Sequence, residues 1–184
     1  MIELVYETHS TTTDNEARIA TGWNEGRLSE TGREQAKALG ERRRDDGLAI
    51  VFTSDLHRAA ETAEIAFAGS ELPMRQDGRL RECNYGELNG RPVPEIDAEK
   101  LRRIDEPYPG GESYRQVVER TRSFLADLLA EFEGKRVLLI AHAANRWSLE
   151  HLLLGAPLEK LVVAPFDWQE GWLYRLDGER LAQG

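Results

Sequence analysis

The stretch Gly134-Lys135-Arg136-Val137-Leu138-Leu139-Ile140-Ala141-His142 decides the fold. Glycine ends helices readily because it enters the left-handed backbone region without a Cβ clash. Residues 137–141 are apolar throughout, as a strand buried on both faces requires. Upstream, Ser113-Tyr114-Arg115-Gln116 has the capping-box pattern of a helix start. From there Tyr114, Val117, Val118, Thr121, Phe124, Leu125, Leu128, Leu129 and Phe132 recur at three- and four-residue spacing, the mark of a long amphipathic helix. A long helix that feeds through glycine into a buried strand is a building unit of an α/β sheet.

Working outward, residues 2–6 and 48–52 are short aliphatic runs of the same kind, and Trp172-Leu173-Tyr174-Arg175-Leu176 reads as a further strand stopped by Asp177-Gly178. Thr31-Gly32-Arg33-Glu34 reads as another capping box, opening a helix that Asp46-Gly47 ends. Two more helices are expected at about residues 57–67 and 147–154. The fold class that follows is α/β, with three layers and a mostly parallel central sheet covered by helices on both faces. Residues 1–184 read as one domain. Residues 86–111 stand apart, holding four of the seven prolines (Pro92, Pro94, Pro107, Pro109) and a short helix at about residues 98–104. They read as a lid-like excursion over one end of the sheet.

With 40% hydrophobic and 31% charged residues, the chain has the composition of an ordered globular protein. Its net charge of −9 offers no nucleic-acid surface. The run Arg42-Arg43-Arg44 reads as a solvated helix end, where cations suit the helix dipole. One cysteine, Cys83, excludes an internal disulfide and a cysteine-rich metal site. No basic leader and no membrane-length apolar run is visible, so a cytoplasmic protein without membrane or nucleic-acid partners is the expectation. The sequence allows a homodimer but does not specify one.

Ligands of open parallel sheets bind at the carboxyl ends of the strands. There lie His9, then Ser54, Asp55, His57 and Arg58, and then His142. Taken singly, each has a plainer reading. A histidine at a strand end is commonly structural, and Arg58 would pair with Glu61 or Glu64 on its own helix. Glu82 would be an exposed loop carboxylate. His57 and His151 read as structural or exposed, and Trp147, Phe166, Trp168 and Trp172 as core or pocket lining.

Several segments in order nevertheless resemble one family. They are His9-Ser10-Thr11-Thr12-Thr13-Asp14-Asn15, residues 22–36, Thr53-Ser54-Asp55-Leu56-His57-Arg58, Leu80-Arg81-Glu82-Cys83-Asn84-Tyr85-Gly86, Pro109-Gly110-Gly111-Glu112-Ser113, and residues 137–143. Over nearly its whole length the chain resembles the histidine phosphatase superfamily, the phosphoglycerate-mutase-like fold. The resemblance implies a phosphoric monoester hydrolase. In it, His9 attacks phosphorus, Glu82 handles the proton of the leaving group, and Arg58 and His142 hold the phosphoryl oxygens, with Asn15 as a further donor. It implies no cofactor and no metal, and a small soluble phosphate ester as substrate. A mutase-type phosphotransferase and a phosphometabolite-binding module are the other readings.

One position departs from the family pattern. The residue before the nucleophile, normally arginine, is Thr8, and Ser10 stands in place of glycine. A threonine hydroxyl offers one neutral hydrogen bond where a guanidinium offers a charged, bidentate grip. Arg18, Arg81 and Arg146 are the arginines nearest in sequence to the motifs and are expected to fill the space, unless the substrate carries less charge. Glu7, on the face of His9 by strand alternation, is placed to orient an arginine or the imidazole.

Overall fold

A computed structural model of the protein describes residues 1–183. The strands are β1 (Ile2–Thr8), β2 (Ile19–Ala20), β3 (Ile50–Thr53), β4 (Met74–Gln76), β5 (Arg91–Pro92), β6 (Arg136–Ala141) and β7 (Trp172–Leu176). Between them run helices α1 (Thr13–Glu16), α2 (Glu30–Arg43), α3 (His57–Ala66), α4 (Val93–Glu99), α5 (Tyr114–Phe132), α6 (Ala143–Leu154), α7 (Leu158–Leu161) and α8 (Gly178–Gln183). The main sheet has the order β4-β3-β6-β1-β7, parallel except for the antiparallel edge strand β7. Strands β2 and β5 form a separate two-stranded ribbon.

Strand alternation divides the core. Val5, Val51, Leu138 and Ile140 face Leu39 of α2 and Ala63 of α3, closed by Phe67. Leu4, Tyr6, Phe52, Val137 and Leu139 face the other way, toward Val117, Phe124 and Leu125 of α5 and Leu149 of α6. Burying each such side chain stabilises the fold by about 1.5–3 kcal/mol. The sheet is therefore covered on both faces, as expected for its apolar strands.

The excursion contains 3₁₀ turns at Gly86–Leu88 and Arg102–Ile104 with helix α4 at Val93–Glu99 between them, in place of one helix at 98–104. Pro94 fits at the start of α4, where a helix has no amide bond to lose. The cap of α2 is Ser29, whose hydroxyl accepts from Gly32 N–H, so Thr31 lies inside the helix. Ser29 N–H is already bonded to Thr11 O, and that tie fixes the helix start two residues early. Gly32 lets α2 touch the loop after β1, since a Cβ there would lie 1.9 Å from Thr11 O. Helix α6 begins at Ala143, immediately after β6, and not at 147.

Of the arginine run at the end of α2 only Arg44 is solvated; Arg42 and Arg43 are not. Arg43 Nη2 and Nε donate to Glu7 Oε1 at 2.7 and 2.9 Å, and Arg42 Nη2 adds a contact at 3.1 Å. Glu7 is 2% exposed. It orients these two arginines, not the imidazole of His9. Arg43 Nη2 also donates to Glu170 O at 2.7 Å, tying the loop before β7 to the sheet. Replacing Glu7 by glutamine should cost about 3 kcal/mol, toward the low end for breaking a buried pair because both arginines keep some water. A shift in the urea midpoint with an unchanged m-value would register it; a midpoint unmoved would show the network to be energetically idle.

Candidate active site

Parallel pairing brings the motifs together. Thr8 of β1 pairs with Ala141 of β6, and Thr53 of β3 pairs with Ile140, so the residues after all three strands emerge side by side. His9 N–H donates to Ala141 O at 2.9 Å. The rings of His9 and His142 lie 5.0 Å apart between centroids. Arg58, Glu82 and His9 line one cavity of about 570 Å³.

His9 Nδ1 pairs with Ser10 O at 2.8 Å, which makes Nδ1 the protonated nitrogen and leaves the Nε2 lone pair free. Burial, and next the charge of Arg58, lower its pKa to about 3. His142 is fully buried and lines neither cavity. Burial, followed by Arg58 and His9, holds its pKa well below the usual imidazole value. Its Nε2 pairs with Ser54 Oγ at 2.7 Å, while Nδ1 is buried with no partner among the described residues. Tyr6 Oη donates to the His142 carbonyl, and Asn145 Oδ1 accepts from its amide at 3.3 Å.

Arg58 is 2% exposed. It pairs with neither Glu61 nor Glu64. Its Nη2 donates to Gly22 O at 2.8 Å, and its Nη1 is buried without a partner. Gly22 has φ +56°, and a Cβ there would fall 1.9 Å from Asn89 Oδ1, so only glycine turns its carbonyl toward Arg58 at this spot. Glu82 is no exposed loop carboxylate. It is 9% exposed, and burial raises its pKa despite hydrogen bonds to Oε1 from Cys83 N–H and Ala144 N–H at 2.7 and 3.3 Å. Its backbone carbonyl is held by Trp23 Nε1 and Arg120 Nη2.

Asn15 caps the turn at α1, accepting from Thr12 N–H through Oδ1, and lines the cavity. Ser10 is buried, gives its amide to Thr62 Oγ1 and lines neither this cavity nor the one beside Thr8. Thr8 borders a second cavity of about 580 Å³. None of the three arginines expected near it arrives. Arg81 pairs with Asp55 at 2.6 Å and stacks on Trp23. Arg146 stacks on Trp172 and Phe166, and Arg18 sits in a left-handed turn; neither lines either cavity.

Residues of the excursion form the far wall of the first cavity through Val93, Ile96, Asp97 and Lys100. Asn145 and Lys100 were not singled out by sequence. The only signal for Asn145 is its place three residues after His142, where it completes a capping box. Lys100 carries no local signal at all. Among the described residues no group of His, Cys, Asp and Glu side chains could hold a metal ion, and no helix is long and apolar enough to cross a membrane.

Residues 8–178 match the histidine phosphatase superfamily (branch 1). The chain belongs to that superfamily. A probable phosphoglycerate mutase, GpmB, of Salmonella paratyphi B is 29% identical over 97% of this chain and 94% of its own length. Among solved structures, Bacillus stearothermophilus YhfR superposes with a TM-score of 0.85 at 30% identity, covering 97% of this chain and 93% of that one. The mycobacterial glucosyl-3-phosphoglycerate phosphatase in complex with VO3 gives 0.75 at 32% identity, over 87% and 85% of the two chains. As a histidine phosphatase superfamily member with phosphatases among its structural neighbours, the chain has the phosphoglycerate-mutase-like α/β fold expected from its motifs.

Proposed function

We propose that the protein is a phosphoric monoester hydrolase that acts on a small soluble phosphate ester through a phosphohistidine on His9. The observation that carries this reading is the state of the two histidines and the arginine. His9 is neutral with its Nε2 lone pair free, beside buried and unsatisfied nitrogens of Arg58 and His142. Buried donors without partners are costly to the fold, and a phosphoryl group would satisfy them.

In the first step His9 Nε2 attacks phosphorus and the bond to the leaving oxygen breaks, with Glu82 supplying its proton. The buried carboxyl of Glu82 holds that proton above the usual carboxylate range. In the second step Glu82 takes a proton from water, the water oxygen attacks phosphorus, and the bond to His9 breaks. Arg58 Nη1 and His142 Nδ1 donate to the phosphoryl oxygens throughout. In this reading Ser54 Oγ–H is the donor of its 2.7 Å contact to His142 Nε2, and the proton of that ring sits on Nδ1. Asn15 Nδ2 adds a neutral donor, Thr8 a hydroxyl at the edge, and Ser10 the carbonyl that orients His9. This reading assigns no metal, since the guanidinium carries the positive charge.

The names of the curated relatives favour a second reading, a phosphoglycerate mutase. Charge in the cavity weighs against it. Besides Arg58 the lining cation is Lys100, which is paired with Asp97 at 2.7 Å, so a substrate carboxylate has no free counter-ion among the described lining residues. Turnover of p-nitrophenyl phosphate and of an alkyl phosphate, without interconversion of phosphoglycerate isomers, is the expected result. Isomerisation faster than hydrolysis would establish the mutase instead.

A further inference from the structure

The two cavities are not independent. They share His9, Asn15, Glu82, Ala143 and Phe166, so they meet at the nucleophile and its proton donor. The first runs along α4 and holds Arg58. The second is lined by Thr8, Thr11, Gln35 and Trp168 besides the shared residues, and among the described residues Glu82 is its only ionisable carboxylate and no lysine or arginine lines it. It is thus a neutral chamber of about 580 Å³, open on the same phosphorus position as the first. Thr8 is short enough to leave it empty, and Arg81 and Arg146 are held elsewhere by Asp55 and by Trp172 and Phe166.

A phosphoryl group with one substituent fills one chamber and presents two negative charges near neutrality to a site with one unpaired guanidinium. A group with two substituents carries a single charge, matched by Arg58 alone, and has an arm for each chamber. We propose that the site also hydrolyses phosphodiesters, with the leaving arm in the α4 cavity and the retained arm in the chamber beside Thr8. The proposal rests on the phosphohistidine reading of the site and extends it to a second substrate class.

The step balances as for a monoester. His9 Nε2 forms the bond to phosphorus, one ester oxygen leaves with its electron pair and takes the proton of Glu82, and the second ester bond stays intact. Water then gives a proton to Glu82 and its oxygen to phosphorus, the bond to His9 breaks, and a phosphomonoester and an alcohol are the products. The covalent intermediate therefore carries an esterified phosphoryl group, a mass that a monoesterase acting on a monoester cannot make.

The test compares bis(p-nitrophenyl) phosphate with p-nitrophenyl phosphate on the full chain, with His9→Ala as the control for contaminating activity. The diester is expected to reach kcat/KM within about 100-fold of the monoester, the span that pocket fit commonly commands. An alkali-quenched sample is expected to carry the p-nitrophenylphosphoryl group on His9. Thr8→Arg, which would place a guanidinium in the neutral chamber, should lower the ratio of diester to monoester kcat/KM by about tenfold or more. Gln35→Arg, on the exposed face of α2, repeats the test should Thr8→Arg fail to fold. Monoester turnover with diester turnover below that bound would overturn the proposal and leave the monoesterase standing. So would a ratio of diester to monoester kcat/KM that a folded Thr8→Arg or Gln35→Arg leaves unchanged. Loss of both activities in the wild type would instead sink the phosphohistidine reading itself.

Discussion

His9→Ala is expected to remove turnover of p-nitrophenyl phosphate by a factor on the order of 10⁵, as loss of a covalent nucleophile does. The same substitution should abolish an acid-labile phosphoenzyme formed with labelled substrate. Both effects follow from one geometric fact: Ser10 O holds the Nδ1 proton, so Nε2 is the sole unoccupied lone pair of that ring. Stability should change little, because His9 is only half-buried and its side chain makes that single local bond. A melting temperature near that of the wild type, together with lost labelling, separates a chemical role from a structural one. Label retained in His9→Ala would remove His9 as nucleophile.

Glu82→Gln should produce the second large effect, and its signature is a dependence on pH and on the leaving group. For the first step His9 must be unprotonated and Glu82 protonated. His9 loses its proton at about 3, so the acid limb of kcat/KM lies there. Burial lifts Glu82 above its ordinary value of 4.5, so the alkaline limb lies above that value and falls as pH rises. Glutamine cannot lose the proton and cannot donate it, so the alkaline limb should vanish. The alkyl phosphate rate should drop by about 10²–10⁴. The p-nitrophenyl phosphate rate should drop less in the phosphorylation step, because p-nitrophenolate leaves without a proton. Equal losses for the two leaving groups, with the alkaline limb intact, would mean that Glu82 is not the acid.

Much of the site was readable one segment at a time. Strand ends are polar punctuation after apolar runs, and three of them carried His9, the Ser54–Arg58 segment and His142. What failed was local logic applied to groups whose partners are distant. Arg58 has acidic neighbours one helical turn away, yet it turns to Gly22 O, thirty-six positions off in sequence. Glu7 follows the strand alternation to the face of α2, where Arg42 and Arg43 bury their charges on it. Arg42 and Arg43 read as solvated in the sequence because nothing within their own helix shows a buried carboxylate beneath them. The start of α6 is hidden in the sequence because His142, not a serine or threonine, is the residue before it, and Asn145 completes the cap from inside the helix.

The sequence by itself determined the α/β class and the buried strands of a mostly parallel sheet, and the resemblance of its motifs pointed to His9, Arg58, Glu82 and His142 as the groups of the proposed reaction. The class follows from periodicity and from residue types at strand ends, which are properties of short segments. Only the tertiary structure decided what stands beside Thr8. The three arginines expected there are each drawn to a stronger local partner, to Asp55 or to aromatic faces, or are turned away by the backbone. No sequence rule weighs those competitions, because each depends on which side chains the fold has already placed within reach. The outcome is a site with one guanidinium and two chambers, and the position that broke the family pattern is the mouth of the second.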